Sequence, residues 1–462
     1  MLLASHQLAA GEKKARPELA DVFRRYGERF EQTHRVSACE NKVIRAVKGC
    51  RTEQLGGHLQ RCDACGFERP AYNSCRNRHC PKCQSLAKAK WLEKQNSELL
   101  PVGYYRLIFT LPHELNRLIL AHKRILLALL FRAVSQTLLE FGRRRFGGTV
   151  GIIAVLHTWD QTLKDHFHLH CLVPSGALSL DHRRWINARK NFLFPVKALS
   201  RVFRGKFLSL CQQASDRGKV QAINDDFKAS HKKNWVVYAK KPFGSPQTVL
   251  HYLGRYTHRV ALSNNRILAV ENGQVSFSYR DRKDKDRLKS MTLDAHEFIR
   301  RFLLHVLPDG FMRIRHFGFL ANRSKKHLLP QCRKLLGLHT ALPQIGKKSA
   351  QDLFFELTGI DLYRCPRCQN GTLIVVAAPA PSGITAMGFL MKDRQPFPDL
   401  FVSQPAAFAW VCLPNAKSLC KNFLPPRHHK KVSALPLIVA DPLISRSLIF
   451  SLLYDLGAFK SP

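Results

Sequence analysis

Apolar residues recur along this chain with two alternating periods. Leu19, Val22, Phe23, Tyr26 and Phe30 stand three to four residues apart, which predicts helix over roughly 16–50. A further helix is expected over 86–100, and Pro101 and Gly103 then punctuate the chain. Tyr105 to Leu111 reads as a buried strand stopped by Pro112, and a long helix follows over 114–144 until Gly147-Gly148 ends it. Two strands come next, over 150–158 and 167–173, and Pro174-Ser175-Gly176 turns the chain away. Helix is expected over 192–217, strand over 235–239, helix after Pro246, a hairpin over 266–279 around Asn272-Gly273, and helices over 296–307 and 324–336. The β-α-β-β order predicts an α+β fold, with an antiparallel sheet covered on one face and its other face left for chemistry.

From about residue 379 proline recurs without either period, so the tail 379–462 reads as irregular, with 435–456 as a candidate short helix. The uncharged run 372–391 is broken by Pro379, Pro381 and Gly383 and is not read as a membrane span. At 462 residues the chain has length for roughly three modules. The division expected is 16–103, 104–340 and 341–378, then the tail.

Charge changes the picture more than length does. The 74 Lys and Arg against 33 Asp and Glu leave a formal net charge of +41, an excess that opposes compaction unless a polyanion neutralises it. The phosphate backbone of a nucleic acid is the partner expected, and a membrane is not, because the basic residues are spread along the chain without an amphipathic anchor. The short apolar start runs into Gly11-Glu12-Lys13-Lys14 and lacks the form of a secretory signal, so a cytoplasmic protein is expected.

Fourteen cysteines, many of them clustered, point to metal rather than disulfides. Cys62-x-x-Cys65 and Cys80-x-x-Cys83 have the knuckle spacing of thiolate zinc ligands, and the four are expected to form one Zn²⁺ site. Cys75, Cys50 and His58 are further zinc candidates, and with Cys39 and His79 they leave spare ligands for a second metal. Cys365-x-x-Cys368 is a lone knuckle, weak unless it pairs elsewhere. Arg76, Arg78 and Lys82 crowd the second pair and are candidate phosphate contacts.

The stretch from Asp165 to Val173 alternates histidine with apolar residues. On a strand it sets His166, His168 and His170 on one face and Phe167, Leu169, Cys171 and Val173 on the other, making a metal platform on a buried strand. A third ligand beside His168 and His170 is left open among Gln161, His166, Asp160 and His157. Gln161 is favoured because it should lie across from the histidine strand. Downstream, Tyr252 and Tyr256 are four residues apart, so on a helix both hydroxyls leave one face, in a segment rich in cations that includes Arg255 and Arg259.

With His168-Leu169-His170, the Tyr252/Tyr256 pair and the upstream cysteines, the chain resembles the rolling-circle insertion-sequence transposases that carry a His-hydrophobic-His (HUH) motif, two tyrosines and an N-terminal zinc-binding domain. The likeness is close at 72–83, 109–112, 168–174 and 252–261 and covers roughly 20–375. It implies a Mg²⁺ or Mn²⁺ ion on His168 and His170, and attack by Tyr252 or Tyr256 on single-stranded DNA at element ends to leave a 5′-phosphotyrosine. The bond energy is then conserved for rejoining, so no nucleotide cofactor is expected, in keeping with the lack of a Gly-x-x-x-x-Gly-Lys-[Ser/Thr] loop. Two other readings stay open: a replication initiator or relaxase of the same chemistry, and a non-catalytic zinc-dependent DNA-binding protein. Nothing in the sequence sets the oligomeric state.

Overall fold

The histidine strand Asp165–Pro174 is the middle strand of a five-stranded antiparallel sheet. Gly151–Trp159 and Tyr104–Thr110 flank it, with Ile314–Gly318 outside the first and Val237–Phe243 outside the second. The computed structural model describes residues 16–377 apart from 190, 222–224, 244–247, 250–251, 253, 255–259 and 339–347. The expected irregular tail and the candidate helix at 435–456 lie outside the described residues.

Period-two alternation divides the sheet's two faces. Phe167, Leu169, Cys171 and Val173 point with Phe109, Ile152, Ala154 and Leu156 into one apolar core, which the helices Lys123–Phe146 and Val196–Asp216 cover. Lys123–Phe146 is long and apolar enough to cross a bilayer, yet Leu126, Leu127, Leu130 and Leu138 are fully buried in this core. The expected long helix is interrupted. A 3-10 turn, His113–Leu115, leads into the short helix Asn116–Ala121, and His122 leaves helical geometry at ψ 41° before the main helix begins. Apolar spacing carries through this kink and so conceals it.

The expectation of an uncovered second face is corrected. The helix Pro81–Glu98 and the helical segment around Tyr252 lie over it: Leu92, Val249 and Tyr252 share a second core with Tyr104, Ile153 and Leu172 of the sheet. The helix Pro81–Glu98 approaches the tyrosine segment closely at Gly254, where a Cβ would stand 3.2 Å from Leu92 and 3.4 Å from Lys88. Bulk there would push the tyrosine segment away from that helix.

The N-terminal helical stretch is two helices, Leu19–Thr33 and Ala38–Lys48, separated where His34 turns extended. Ser37 and Glu40 form a capping box that starts the second, a signature present in the sequence. Both helices share a third core with the hairpin Ile267–Glu271/Gln274–Asp281 and the helix Ala295–Leu303, Phe23 meeting Phe302 edge-on at 5.7 Å. The Asn272-Gly273 turn is as expected, both residues in the left-handed region (φ 50° and 74°) that a tight hairpin turn requires. Sequence periodicity missed the neighbouring strand Arg287–Asp294, which is polar and lies on a sheet edge. It also missed a small sheet in which Leu373–Ala377 pairs with Gly57–Cys62, itself paired with Glu68–Tyr72.

Candidate catalytic and metal centres

Strand register assembles the histidine centre. His157 stands directly opposite His168 on the neighbouring strand, so it shares the face that carries His168 and His170. One ring nitrogen from each of the three lies within 4.8 Å of the others. Gln161, favoured from sequence, instead sits in the turn between the strands, its carbonyl accepting a 2.6 Å hydrogen bond from Arg266. His166 is exposed at the strand's start, and its contribution is the carbonyl that accepts a 2.8 Å hydrogen bond from His168 Nδ1. That bond fixes the tautomer and leaves His168 Nε2 with its lone pair.

His168 Nε2 and His170 Nε2 face each other at 3.1 Å. Two nitrogens bound to one cation at about 2.1 Å and a right angle stand about 3.0 Å apart, so the pair fits a shared divalent ion. All three imidazoles are buried, at 4% exposure for His157, 8% for His168 and 5% for His170. Burial, reinforced by His166, holds His168 at about 3, and burial with the neighbouring His157 and His168 holds His170 well below the ordinary range. Both stay neutral, the form that ligates metal. Behind them His305 donates from Nε2 to the Leu163 carbonyl at 3.0 Å and accepts from the Thr158 hydroxyl at 3.2 Å, tying the end of the His157 strand to the chain just after the helix Ala295–Leu303.

Tyr252 completes the centre. Its hydroxyl is hydrogen-bonded to His170 Nδ1 at 2.8 Å, and the Arg106 guanidinium lies 4.9 Å over its ring. Were a cation to take His170 Nε2, Nδ1 would carry the proton and donate to the phenol oxygen. Sequence reasoning missed Arg106. Its register opposite Leu172, two residues past His170, places it on the histidine face, but only pairing reveals this. Tyr256, Arg255 and Arg259 lie outside the described residues.

The cysteines form two groups among the described residues, and the expected Cys62/Cys65/Cys80/Cys83 site is corrected. Cys50, Cys75, Cys80 and Cys83 come together, as do Cys62, Cys65, Cys365 and Cys368. Knuckle spacing identifies pairs but not their partners. The hairpin decides the partners: its base, held by Arg51 N–H on the Asn73 carbonyl, gathers Cys50 and Cys75 near Cys80 and Cys83. Its first strand, Gly57–Cys62, runs for about 17 Å and carries the first knuckle away to the tip. In the first group Cys83 Sγ lies 3.6 Å from both Cys50 Sγ and Cys75 Sγ, close to the ~3.8 Å edge of a tetrahedron with 2.3 Å Zn–S bonds. His58 belongs to neither group, and His79, buried beside the knuckle, is held neutral at about 3 by desolvation and by Arg78.

A family model described as "Transposase zinc-binding domain" matches residues 22–111, and one described as "Putative transposase" matches 151–327. The chain is 47% identical over 378 residues, 78% of its own length and 95% of the relative's, to a Sinorhizobium fredii (strain NBRC 101917 / NGR234) protein named "Putative transposase y4qJ". It is 29% identical, over 77% of its length and 87% of the relative's, to "Transposase for insertion sequence element IS801" from Pseudomonas savastanoi pv. phaseolicola. This chain belongs to that transposase family. No solved structure matches it. The histidine trio and Tyr252 of the transposase fall inside the second matched region, and the first thiolate group falls inside the first.

The basic residues singled out beside the knuckles divide by environment. Arg78 of the transposase is half-buried and donates to the carbonyls of Leu307, Pro308 and Phe311, so it braces the chain after the helix Ala295–Leu303 rather than facing solvent. Lys82 pairs with Glu18 at 2.5 Å. Arg76 is exposed, at a left-handed φ of 51°.

Proposed function

We propose that the transposase cuts and rejoins single-stranded DNA at element ends, using Tyr252 and Tyr256 as nucleophiles and a divalent cation held by His157, His168 and His170. The observation that carries this reading is the Tyr252 hydroxyl bonded to a histidine whose far nitrogen faces a second buried imidazole. A bound cation supplies positive charge at the scissile phosphate. The tyrosine oxygen displaces the 3′ oxygen, the 3′ hydroxyl departs with a proton, and the 5′ phosphate stays on the tyrosine. Attack by a free 3′ hydroxyl reverses this on a new strand without a nucleotide cofactor. Three nitrogen donors suit Mn²⁺ better than the oxygen-preferring Mg²⁺, so Mn²⁺ is the metal expected to support the faster reaction. The excess of positive charge supports DNA as the substrate.

The test is incubation of the full-length protein with single-stranded oligonucleotides carrying the element's ends, with Mn²⁺ or Mg²⁺. A covalent adduct that maps to Tyr252 or Tyr256 is expected. Protein that binds the same strands yet never forms an adduct would leave the non-catalytic DNA-binding reading in its place.

A further inference from the structure

Cys62 and Cys65 lie inside the matched zinc-binding region, which ends at residue 111, but Cys365 and Cys368, which gather with them, lie far outside it. We propose that the four form a second structural zinc site, a clasp that fastens the N-terminal hairpin to residues 362–377 and fills independently of the Cys50/Cys75/Cys80/Cys83 site. The sulfurs of Cys62 and Cys368 are 3.7 Å apart, as are those of Cys65 and Cys365. Both separations match the ~3.8 Å edge of a tetrahedral zinc thiolate and are far beyond the ~2.05 Å of a disulfide.

The two knuckles are built alike. Cys65 N–H points at Cys62 Sγ (3.5 Å) and Gly371 N–H points at Cys368 Sγ (3.3 Å), so each contributes a backbone donor to its own first or last thiolate. They also interlock: Asp63 accepts Thr372 N–H at 2.8 Å and its own N–H bonds the Thr372 carbonyl at 3.1 Å. Gly371 is confined there, since a Cβ would lie 2.3 Å from Cys62 Sγ. Among the described residues the apolar core around the knuckles is only Cys62, Cys365 and Leu373, with Phe67 and Cys368 packed against it. So small a core does not hold two distant segments together, and a metal supplies the missing free energy. Four thiolates in a single tetrahedron leave zinc or a lone iron, and paired Cys-x-x-Cys knuckles of the same edge length as the first group favour zinc.

Metal content of the full-length protein, measured by elemental mass spectrometry, is expected to be two zinc per chain. The double variant Cys365→Ser/Cys368→Ser is expected to keep one. Because Cys65 is exposed whereas Cys50 and Cys80 are buried, a chelator should remove the clasp zinc first. Alkylation of the wild-type protein covers the case of a variant that does not fold: Cys365 and Cys368 should be protected with metal present and become reactive together with Cys62 and Cys65 on chelation. One zinc in the wild type, iron in place of zinc, two zincs retained in the double variant, or free reactivity of Cys365 and Cys368 before chelation would overturn the clasp. None of these measurements depends on DNA cleavage, so the clasp and the proposed reaction stand or fall separately.

Discussion

At the scale of residues, the histidine centre depends on which nitrogen of each ring is engaged. His168 is oriented through Nδ1 by the His166 carbonyl and His170 through Nδ1 by Tyr252, so both present Nε2 to the same point. His157→Ala therefore is expected to lower Mn²⁺-dependent adduct formation by roughly a hundredfold with DNA binding retained, because loss of a ligand or its orienting shell weakens metal affinity on that scale. Gln161→Ala should stay within about twofold of wild type in the same titration, since the backbone carbonyl rather than the side chain of Gln161 is engaged. Equal losses in the two variants would return the third-ligand question to where sequence left it. Tyr252→Phe keeps the ring under Arg106 but removes the oxygen, so adduct at that residue should vanish while the fold persists. Persistence of an adduct at residue 252 is chemically excluded, and peptide mapping then reports whether Tyr256 alone can cleave.

At the scale of elements, the sheet's outer strand and the hairpin knuckles are held by close backbone approaches. Gly318 ends the strand Ile314–Gly318 at φ 64°, and a Cβ there would meet the Val150 carbonyl at 1.7 Å. Gly318→Ala cannot be accommodated without moving that strand, and a loss of about 3 kcal/mol or more is expected in denaturant unfolding. An unchanged midpoint would mean that the strand is not held at this edge. The same elements explain where sequence reading succeeded. Apolar runs marked two of the three inner strands and histidine-apolar alternation marked the third, and Asn272-Gly273 marked its hairpin by turn chemistry. Ile314–Gly318 was invisible because Arg315 and His316 interrupt its pattern, and their side chains find shelter only after folding: Arg315 lies 4.4 Å over the Phe131 ring. Leu373–Ala377 is short and owes its strand form to Gly57–Cys62, which pairs also with Glu68–Tyr72, and to the interlocked knuckles.

At the scale of the whole molecule, buried histidines make stability depend on pH. Burial holds His305 and His316 at about 4, against about 6.5 in an unfolded chain. Above 6.5 both states are neutral at these sites and stability is unaffected. Between 6.5 and 4 the unfolded chain binds protons that the folded one refuses, so stability falls as pH falls through that window. Denaturant midpoints measured from pH 7.5 to 4.5 should decline, and less steeply in His316→Gln, whose position has no proton to gain. The net charge of +41 makes a second prediction at this scale. Affinity for single-stranded DNA should fall steeply with salt, by about tenfold or more between 50 and 200 mM if several phosphates are neutralised. A flat salt response would remove the phosphate backbone as the reason for the charge.

Local pattern determined what depends on neighbours in sequence: the strand that lines up His168 and His170, the turn at Asn272-Gly273, the helix caps, and the recognition of each Cys-x-x-Cys as a ligand pair. These are short-range because a strand's period, a turn's backbone angles and a knuckle's geometry are properties of a few consecutive residues. Tertiary structure alone decided the partners. His157 rather than Gln161 stands across from His168 because register is set by the whole sheet. Arg106 lies over Tyr252 because a helical segment is layered on the sheet's second face. The four thiolates expected at one metal divide between two because a hairpin separates its base from its tip, and because the knuckle at Cys365, distant in sequence, lies against that tip in space.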